Sequence, residues 1–278
     1  MAFRILGRMS QYPTKTIIFF RGLKTWGGDD LPGGLFLSRP IWEPLQLEWQ
    51  KRGYQFYPVE DMGWGTRSDV CMRTRSQLSQ LILKHKIDSF HILAHSTGGL
   101  IAREILQSSE FAGKVNSLVT MATPHQGTPL ADLVLQIQQH RPALFKWAQL
   151  VGYDVEVRQR AFSDLTPLAV EEFNQDFDLM TDWIPASLSY SVSPQKLSWP
   201  LKGINRLFPD FLKWEHDGIV PKASQHWGRH LGHFHLDHLQ EIGWAAPPRS
   251  RLNSRIFKEF QKSMDVIEEL FDELNSKN

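Results

Sequence analysis

Residues 92–99 read Ile-Leu-Ala-His-Ser-Thr-Gly-Gly, and this stretch decides the fold. The apolar residues before Ser96 predict a buried strand, and the glycines after it open a segment with helical spacing. A serine at such a sharp turn from strand to helix is held with its hydroxyl above the sheet. The positions two before and two after the serine must be small, and Ala94 and Gly98 satisfy this requirement. The stretch therefore predicts that Ser96 is a nucleophile.

Strands and helices alternate on both sides of this turn, which predicts a mainly parallel central sheet flanked by helices, the α/β class. The predicted strands are Thr16–Phe20, Tyr54–Val59, Phe90–Ala94, Val115–Ala122 and Ser187–Ser193. The predicted helices are Ile41–Arg52, Ser68–Lys86, Gly98–Ser108 and Arg251–Leu274. Aromatic and basic residues from Trp199 to Trp214 predict an irregular surface excursion.

The middle of the chain differs from both ends. From Thr128 to about Met180 there are helical patches and no convincing strand. Thr166 followed by Pro167 indicates the start of a helix. We therefore expect one α/β domain over residues 1–278, with a helical cap or lid inserted at about 128–180.

Composition excludes several classes of protein. The 278 residues are 41% hydrophobic and 22% charged with a formal net charge of +1, so we expect no nucleic-acid partner. Cys71 is the only cysteine, so no intrachain disulfide can form, as is typical of a reducing compartment. The start lacks the apolar core of a signal peptide, and no sequence window approaches a membrane span. We expect a cytoplasmic protein by default, with export by another route left open.

A serine nucleophile needs a base, and the base needs an orienting acid. In folds built around this turn they follow in the order serine, acid, histidine. Asp217 is the first candidate for the acid, because it follows a predicted strand and Gly218 permits a tight turn after it. An ordinary Asp-Gly turn without a catalytic role is the alternative.

The base must come from a histidine-rich segment after this turn. Its histidines are His226, His230, His233, His235 and His238. His235 heads the sequence His-Leu-Asp-His and lies 18 residues after Asp217 (235 − 217), a spacing that allows two neighbouring loops at one end of the sheet. A metal site is the rival interpretation, because His233, His235 and His238 resemble the spacing of metal ligands.

Two backbone amides are needed to hold the oxyanion that forms when an ester is attacked. Thr97, directly after the serine, supplies one. The turn after the first strand, Arg21-Gly22-Leu23, is expected to supply the other through the amide of Leu23.

These residues together resemble bacterial triacylglycerol lipases and related carboxylesterases of the α/β-hydrolase superfamily. The similarity covers most of Thr16–Gly243 in scattered motifs. The motifs are Ala94–Gly99 at the nucleophile, Ala122–Thr128 with Leu130–Asp132 after the next strand, Leu165–Thr166 with Phe173–Asn174 at the end of the cap, His216–Pro221 at the acid, and His235–Asp237 at the histidine. Five motifs in one order are far more specific than any one of them, and they imply the α/β-hydrolase fold.

The resemblance also implies roles for single residues. It selects His235 over its neighbours, supports Asp217 as the acid, and makes residues 128–180 a lid or cap. Many such lipases bind a structural calcium through the aspartate two positions after the catalytic histidine, and Asp237 matches that position. Two features depart from the family, because Arg21 stands where histidine is usual and the family's disulfide cannot form.

The hypothesis from the sequence is a carboxylic ester hydrolase that forms an acyl-enzyme on Ser96. Its expected substrates are small-molecule or lipid esters with a hydrophobic acyl group, and a transient contact with a lipid interface fits such substrates. The chemistry requires no cofactor, and calcium is the one ion that the resemblance suggests. Two alternatives stay open: an acyltransferase that uses the same triad, and a non-catalytic binding protein on this fold.

Overall fold

Six strands form a central sheet in the part of the chain that the structure describes. The computed structural model describes residues 15–22, 40–59, 65–140, 155–176, 182–244 and 253–277. The strands are β1 (Thr16–Phe20), β2 (Gln55–Pro58), β3 (Phe90–His95), β4 (Val115–Met121), β5 (Ile184–Tyr190) and β6 (Arg229–Phe234). Their order across the sheet is β2-β1-β3-β4-β5-β6, and every neighbouring pair runs parallel. The predicted parallel sheet is therefore confirmed.

Eight α-helices are described around this sheet. They are α1 (Glu43–Lys51), α2 (Arg67–His85), α3 (Gly98–Leu106), α4 (Pro129–His140), α5 (Val155–Ser163), α6 (Pro167–Gln175), α7 (Trp199–Leu207) and α8 (Ser254–Ser276). A capping box starts α2, in which Thr66 and Asp69 each accept the other's backbone amide through their side chains. None of the helices in the described ranges combines the length and the apolar character that crossing a membrane requires.

Both faces of the sheet are covered by helices. Ile17 and Phe19 of β1 point to one face and belong to a cluster with Trp49 of α1 and residues of α8. Ile18 and Phe20 point to the other face and join a cluster with residues of α2 and α3. This alternation follows from the two-residue period of a strand. Burial on both faces explains the apolar runs Ile17–Phe20 in β1 and Ile92–Ala94 in β3.

Two segments differ from what the sequence predicted. Residues 199–214 form α7 and a 3-10 helix, Pro209–Lys213, so the predicted irregular excursion is wrong. Leu201 is buried while Trp199 is exposed, and one buried stripe is enough to hold a short helix against the core. The sequence analysis also missed β6, because this edge strand is only partly buried and has no continuous apolar run.

The described helices between β4 and β5 are α4, α5 and α6. Ala131, Val170 and Phe173 from these helices form a small apolar cluster with Leu100 of α3. The helical segment is thus packed on the helix that follows Ser96. Its role as a cap or lid, and the division of the chain into one domain with an insertion, stay predictions.

Candidate active site

Ser96 lies at the turn between β3 and α3. Its backbone has a φ of 57°, in the left-handed region, and its amide donates to the Met121 carbonyl at 2.9 Å. A Cβ on Gly98 would collide with backbone carbonyls at the end of β1, so the position two after the serine admits only glycine. A Cβ on Gly22 would lie 2.7 Å from the Ser96 Cβ. The packed ends of β1, β3 and β4 therefore hold the serine in its strained conformation.

His238 is the histidine that lies beside this serine. Its Nε2 is 3.0 Å from Ser96 Oγ, and its Nδ1 is 2.9 Å from Asp217 Oδ2. Because a carboxylate only accepts, the ring proton belongs on Nδ1, and Nε2 accepts the hydroxyl proton of the serine. All three side chains are buried, with Asp217 at 0% exposure. This is the order of contacts that activates a serine nucleophile.

The Asp217 carboxylate is held by a tight turn. Its Oδ1 accepts the amides of Ile219 and Val220, each at 2.8 Å. Gln225 Nε2 donates to Oδ2 at 3.3 Å, and the His238 amide donates to the Asp217 carbonyl at 3.0 Å. Protein donors thus replace the water that this buried carboxylate loses. Asp217 could be predicted as a candidate acid from the sequence, whereas its buried partner Gln225 carries no local sequence signal.

His235, which the resemblance selected as the base, does not reach Ser96 in the structure. It directly follows β6 and is exposed. Its amide donates to Glu259 Oε1 at 3.4 Å, and its ring meets the ring of His233 edge-on. The chain then turns back, so that His238 arrives against the Asp217 turn. The correction is His238 in place of His235.

A buried pair, His95 and Glu241, extends the cluster behind His238. Glu241 Oε2 lies 3.0 Å from His95 Nε2, and the rings of His95 and His238 are 4.5 Å apart between centroids. Burial, followed by the carboxylates of Asp217 and Asp237, raises the pKa of Glu241 well above its usual range. Burial also lowers the pKa of His95 well below its usual value, and His238 adds to that effect. Burial thus favours the neutral form of both groups.

The same cluster is where metal-binding side chains converge among the described residues. Donor atoms of His95, His238 and Glu241 lie within 4.8 Å of one another. These donors are already hydrogen-bonded to each other, to Ser96 and to Asp217, so we assign no ion to them. The alternative trio suggested by the sequence, His233, His235 and His238, does not come together as such a group.

Asp237, the aspartate that the resemblance suggested as a calcium ligand, is occupied by protein donors. Its Oδ2 accepts the amide and the hydroxyl of Ser198, both at 2.6 Å. Its Oδ1 accepts the amides of Leu239 and Gln240 at 3.1 and 3.0 Å. A calcium ion needs several free oxygen ligands, and this carboxylate offers none that is free. Asp237 instead fixes the turn that carries His238.

Thr97, one of the two predicted oxyanion donors, stands at the start of α3. The amides and the dipole at a helix N-terminus favour negative charge there. The other predicted donor, Leu23, lies outside the described residues. Its neighbour Gly22 is described and comes within contact of Ser96.

A cleft lies next to the serine and is bordered by Gly22, which packs against Ser96, and by Thr97, which directly follows it. Its walls come from α2, α3, α5 and the turn before α6. The apolar residues that line it are Val70, Leu100, Ile101, Ala161 and Leu165. An apolar cleft next to a nucleophile suits the hydrocarbon part of a small ligand.

Residues 72–221, more than half of the chain, match the family model of the PGAP1-like alpha/beta domain. The chain belongs to this family. The PGAP1-like region includes Ser96 and Asp217 and ends before His238. It also includes the helices between β4 and β5.

This PGAP1-like chain is similar to Triacylglycerol lipase 2 of Saccharomyces cerevisiae, with 24% identity over 224 residues. The match covers 75% of the chain and 64% of the yeast protein, so the chain spans less than two thirds of that relative. The resemblance to lipases is therefore not confined to bacterial proteins.

Two solved structures are similar in fold. A metagenomic carboxyl esterase superimposes with a TM-score of 0.65 at 16% identity, over 94% of this chain and 76% of that one. The mature form of a Bacillus licheniformis lipase gives a TM-score of 0.60 at 17% identity, over 95% and 96%. The predicted α/β-hydrolase fold is confirmed.

Proposed function

We propose that this chain hydrolyses carboxylic esters through an acyl-enzyme on Ser96. The observation that supports this most directly is the unbroken set of contacts from Ser96 Oγ to His238 Nε2, 3.0 Å, and from His238 Nδ1 to Asp217 Oδ2, 2.9 Å. The choice of esters is supported by the names of the yeast relative and of the fold neighbours, which are lipases and an esterase.

In the proposed mechanism, Ser96 Oγ attacks the carbonyl carbon of the ester while its proton passes to His238 Nε2. Asp217 keeps the ring oriented and stabilises the imidazolium that forms. The protonated ring then gives that proton to the departing alkoxide, which leaves as an alcohol. Water attacks the acyl-enzyme with His238 again as the base, and the carboxylic acid leaves Ser96 with its proton restored.

Negative charge on the carbonyl oxygen must be stabilised in both halves of this reaction. We assign one donor to the Thr97 amide, since it follows the nucleophile and opens α3. The amide of Leu23 is retained as the second donor on the basis of the sequence, directly after the Gly22 that contacts Ser96.

The proposed substrates have a hydrophobic acyl group. The apolar cleft that borders Gly22 and Thr97 supports this choice, because Gly22 packs against Ser96 and Thr97 directly follows it. Burial of each methylene in such a cleft is worth about 0.8 kcal/mol, so affinity should increase with chain length until the cleft is full. A transient contact with a lipid interface is consistent with such substrates and belongs to the same proposal.

The first test is Ser96→Ala, assayed on p-nitrophenyl esters and with a fluorophosphonate probe. We expect turnover to fall by roughly 10³-fold or more and labelling to disappear, while the melting temperature stays near that of the unchanged protein. Substantial turnover in the variant would refute Ser96 as the nucleophile. An unchanged protein that neither reacts with the probe nor cleaves esters would favour a binding protein. New esters formed with added alcohols would identify an acyltransferase.

A further inference from the structure

His238 faces two carboxyl groups, of which the proposed mechanism uses one. Its Nδ1 is 2.9 Å from Asp217 Oδ2 and 3.7 Å from Glu241 Oε2. Glu241 belongs to a short 3-10 helix, Gln240–Ile242, that follows the turn carrying His238. Its side chain has no exposure to solvent. A second acid is thus held within reach of the same ring nitrogen.

The two acids are held differently. The carboxylate of Asp217 accepts two backbone amides and the Gln225 amide. Glu241 contacts the neutral His95 ring at 3.0 Å, and its Oε1 has no hydrogen-bond partner. A neutral imidazole cannot compensate a buried negative charge. A neutral Glu241 carboxyl can donate its proton to His95 Nε2, and burial together with the carboxylates of Asp217 and Asp237 favours that neutral form.

His95 also packs against the proposed base, His238. Its ring lies 4.5 Å from the ring of His238, with 38° between the planes. The contact supports the His238 ring from the side of β3, while Asp217 fixes it from the side of the acid turn. Glu241, His95 and His238 thus form a buried row in which each member fixes the orientation of the next.

We propose that Glu241 is a positioning residue for His238 and serves as its orienting carboxylate when Asp217 is removed. The inference rests on the proposed function. Burial is the largest cause that raises the pKa of Glu241, and the Asp217 carboxylate is the next, so loss of that carboxylate moves the pKa of Glu241 down towards its usual range. Its Oε2 needs to approach from 3.7 Å to the distance that Asp217 now has, which a side-chain rotation in the vacated space can supply.

Four proteins test this proposal: the unchanged chain, Glu241→Gln, Asp217→Ala, and the double variant. Glutamine can still donate to His95 Nε2, as the neutral acid does, but it cannot ionise. We expect Glu241→Gln to lower kcat/KM only a few-fold with Asp217 present. In the Asp217→Ala background, Glu241→Gln should lower kcat/KM by a further factor of about 10 or more, because substitutions of residues in contact have non-additive effects. Equal factors in the two backgrounds would overturn the proposal.

The pH profile separates this role from a merely structural one. In Asp217→Ala, kcat/KM should rise with pH as Glu241 ionises, and this rise should be absent from the double variant.

Glu259→Gln is the matched control, because Glu259 lies beside His235 on the surface. This substitution should leave kcat/KM unchanged both with Asp217 present and in the Asp217→Ala background. Asp217→Ser, whose hydroxyl can still accept a turn amide, replaces Asp217→Ala if that variant does not fold. Fluorophosphonate labelling of the unchanged protein tests the proposed function independently of the Glu241 comparison.

Discussion

At the scale of single residues, the turn after β6 determines which histidine lies beside Ser96. Asp237 accepts four hydrogen bonds in that turn, and the His238 amide donates to the Asp217 carbonyl. These contacts aim the His238 ring at Ser96 and leave His235 outside on the surface. We expect His238→Ala to lower ester turnover by about 10³-fold or more, because the base is lost.

His235→Ala is the matched control for this prediction. It removes a histidine of the same motif whose side chain is exposed, so turnover should stay close to that of the unchanged protein. Both variants are measured with a short p-nitrophenyl ester, and their folding is checked by thermal melting. If His235→Ala is the inactive one and His238→Ala remains active, the assignment from the geometry is wrong.

The site residues differ in how far the sequence could identify them. Ser96 could be predicted as the nucleophile because its turn requires small neighbours, which is a local property. Asp217 could be predicted as the acid from its turn glycine and from the order of the three groups. His238 was not predicted as the base because His-Leu-Asp-His has a histidine at each end, and only the three-dimensional path of the turn separates them. Glu241 carries no local signal, since its role depends on burial beside Asp217.

At the scale of elements, buried strands could be predicted and the edge of the sheet could not. β1 and the stretch Ile92–Ala94 of β3 are apolar on both faces because helices cover both, whereas β4 also buries the polar residues Ser117 and Thr120. β6 is half-exposed, with a burial pattern that carries no helix-like or strand-like period. Backbone pairing with β5 holds β6 in the sheet, although its partly exposed side chains bury little apolar surface. α7 was not predicted for a related reason. Its large aromatic residue Trp199 is exposed, so the apolar residues of the segment do not show the helical period of the buried stripe around Leu201.

The cleft beside Ser96 is a property of three helices, and its length should set the preferred acyl chain. Ala161 of α5 is buried and lines this cleft between α2 and α3. We expect Ala161→Phe to fill it and to shift the optimum from longer to shorter esters. For octanoate or longer esters, kcat/KM should fall by roughly 10-fold, which corresponds to the loss of about two buried methylene groups.

The measurement is a series of p-nitrophenyl esters from acetate to palmitate. Hydrolysis of the acetate ester is the internal control, because its acyl group does not reach Ala161, and its rate should change little. Thermal melting excludes general unfolding. An equal fall for every chain length would mean that the cleft does not hold the acyl group, and an optimum at acetate in the unchanged protein would exclude a lipid-like substrate.

At the scale of the whole molecule, neutral histidines buried in the sheet make stability depend on pH. His91 of β3 has 0% exposure, bonds Ser117 Oγ through Nδ1 at 2.8 Å, and stacks on Phe271 of α8. Burial lowers its pKa to about 3. Burial also lowers the pKa values of His95 and His125 well below the usual range. Burial in the core thus disfavours the protonated form of these imidazoles while the chain is folded.

The sign of the effect follows from proton binding. Below pH 6.5 the unfolded chain protonates these histidines and the folded chain does not, so stability is complete above pH 6.5 and is lost as pH falls towards 3 for His91. Each such histidine contributes a slope of about 1.4 kcal/mol per pH unit in this window. Glu241 acts in the opposite sense, because its raised pKa favours the folded state at low pH and that contribution is lost as pH rises.

His91→Gln isolates one of these contributions, since glutamine can keep a hydrogen bond to Ser117 but does not titrate. We expect the free energy of unfolding of the unchanged protein to fall between pH 7 and pH 5, and this fall to be smaller in His91→Gln by about 2 kcal/mol. Urea unfolding at the two pH values measures how far the free energy of unfolding falls in each protein. A loss of stability that the substitution causes equally at both pH values cancels from this comparison. The exposed His235→Gln should retain the full pH dependence. Equal falls in the unchanged protein and in His91→Gln would show that His91 takes up its proton without unfolding the sheet, and that β3 can open around it while the rest of the molecule stays folded.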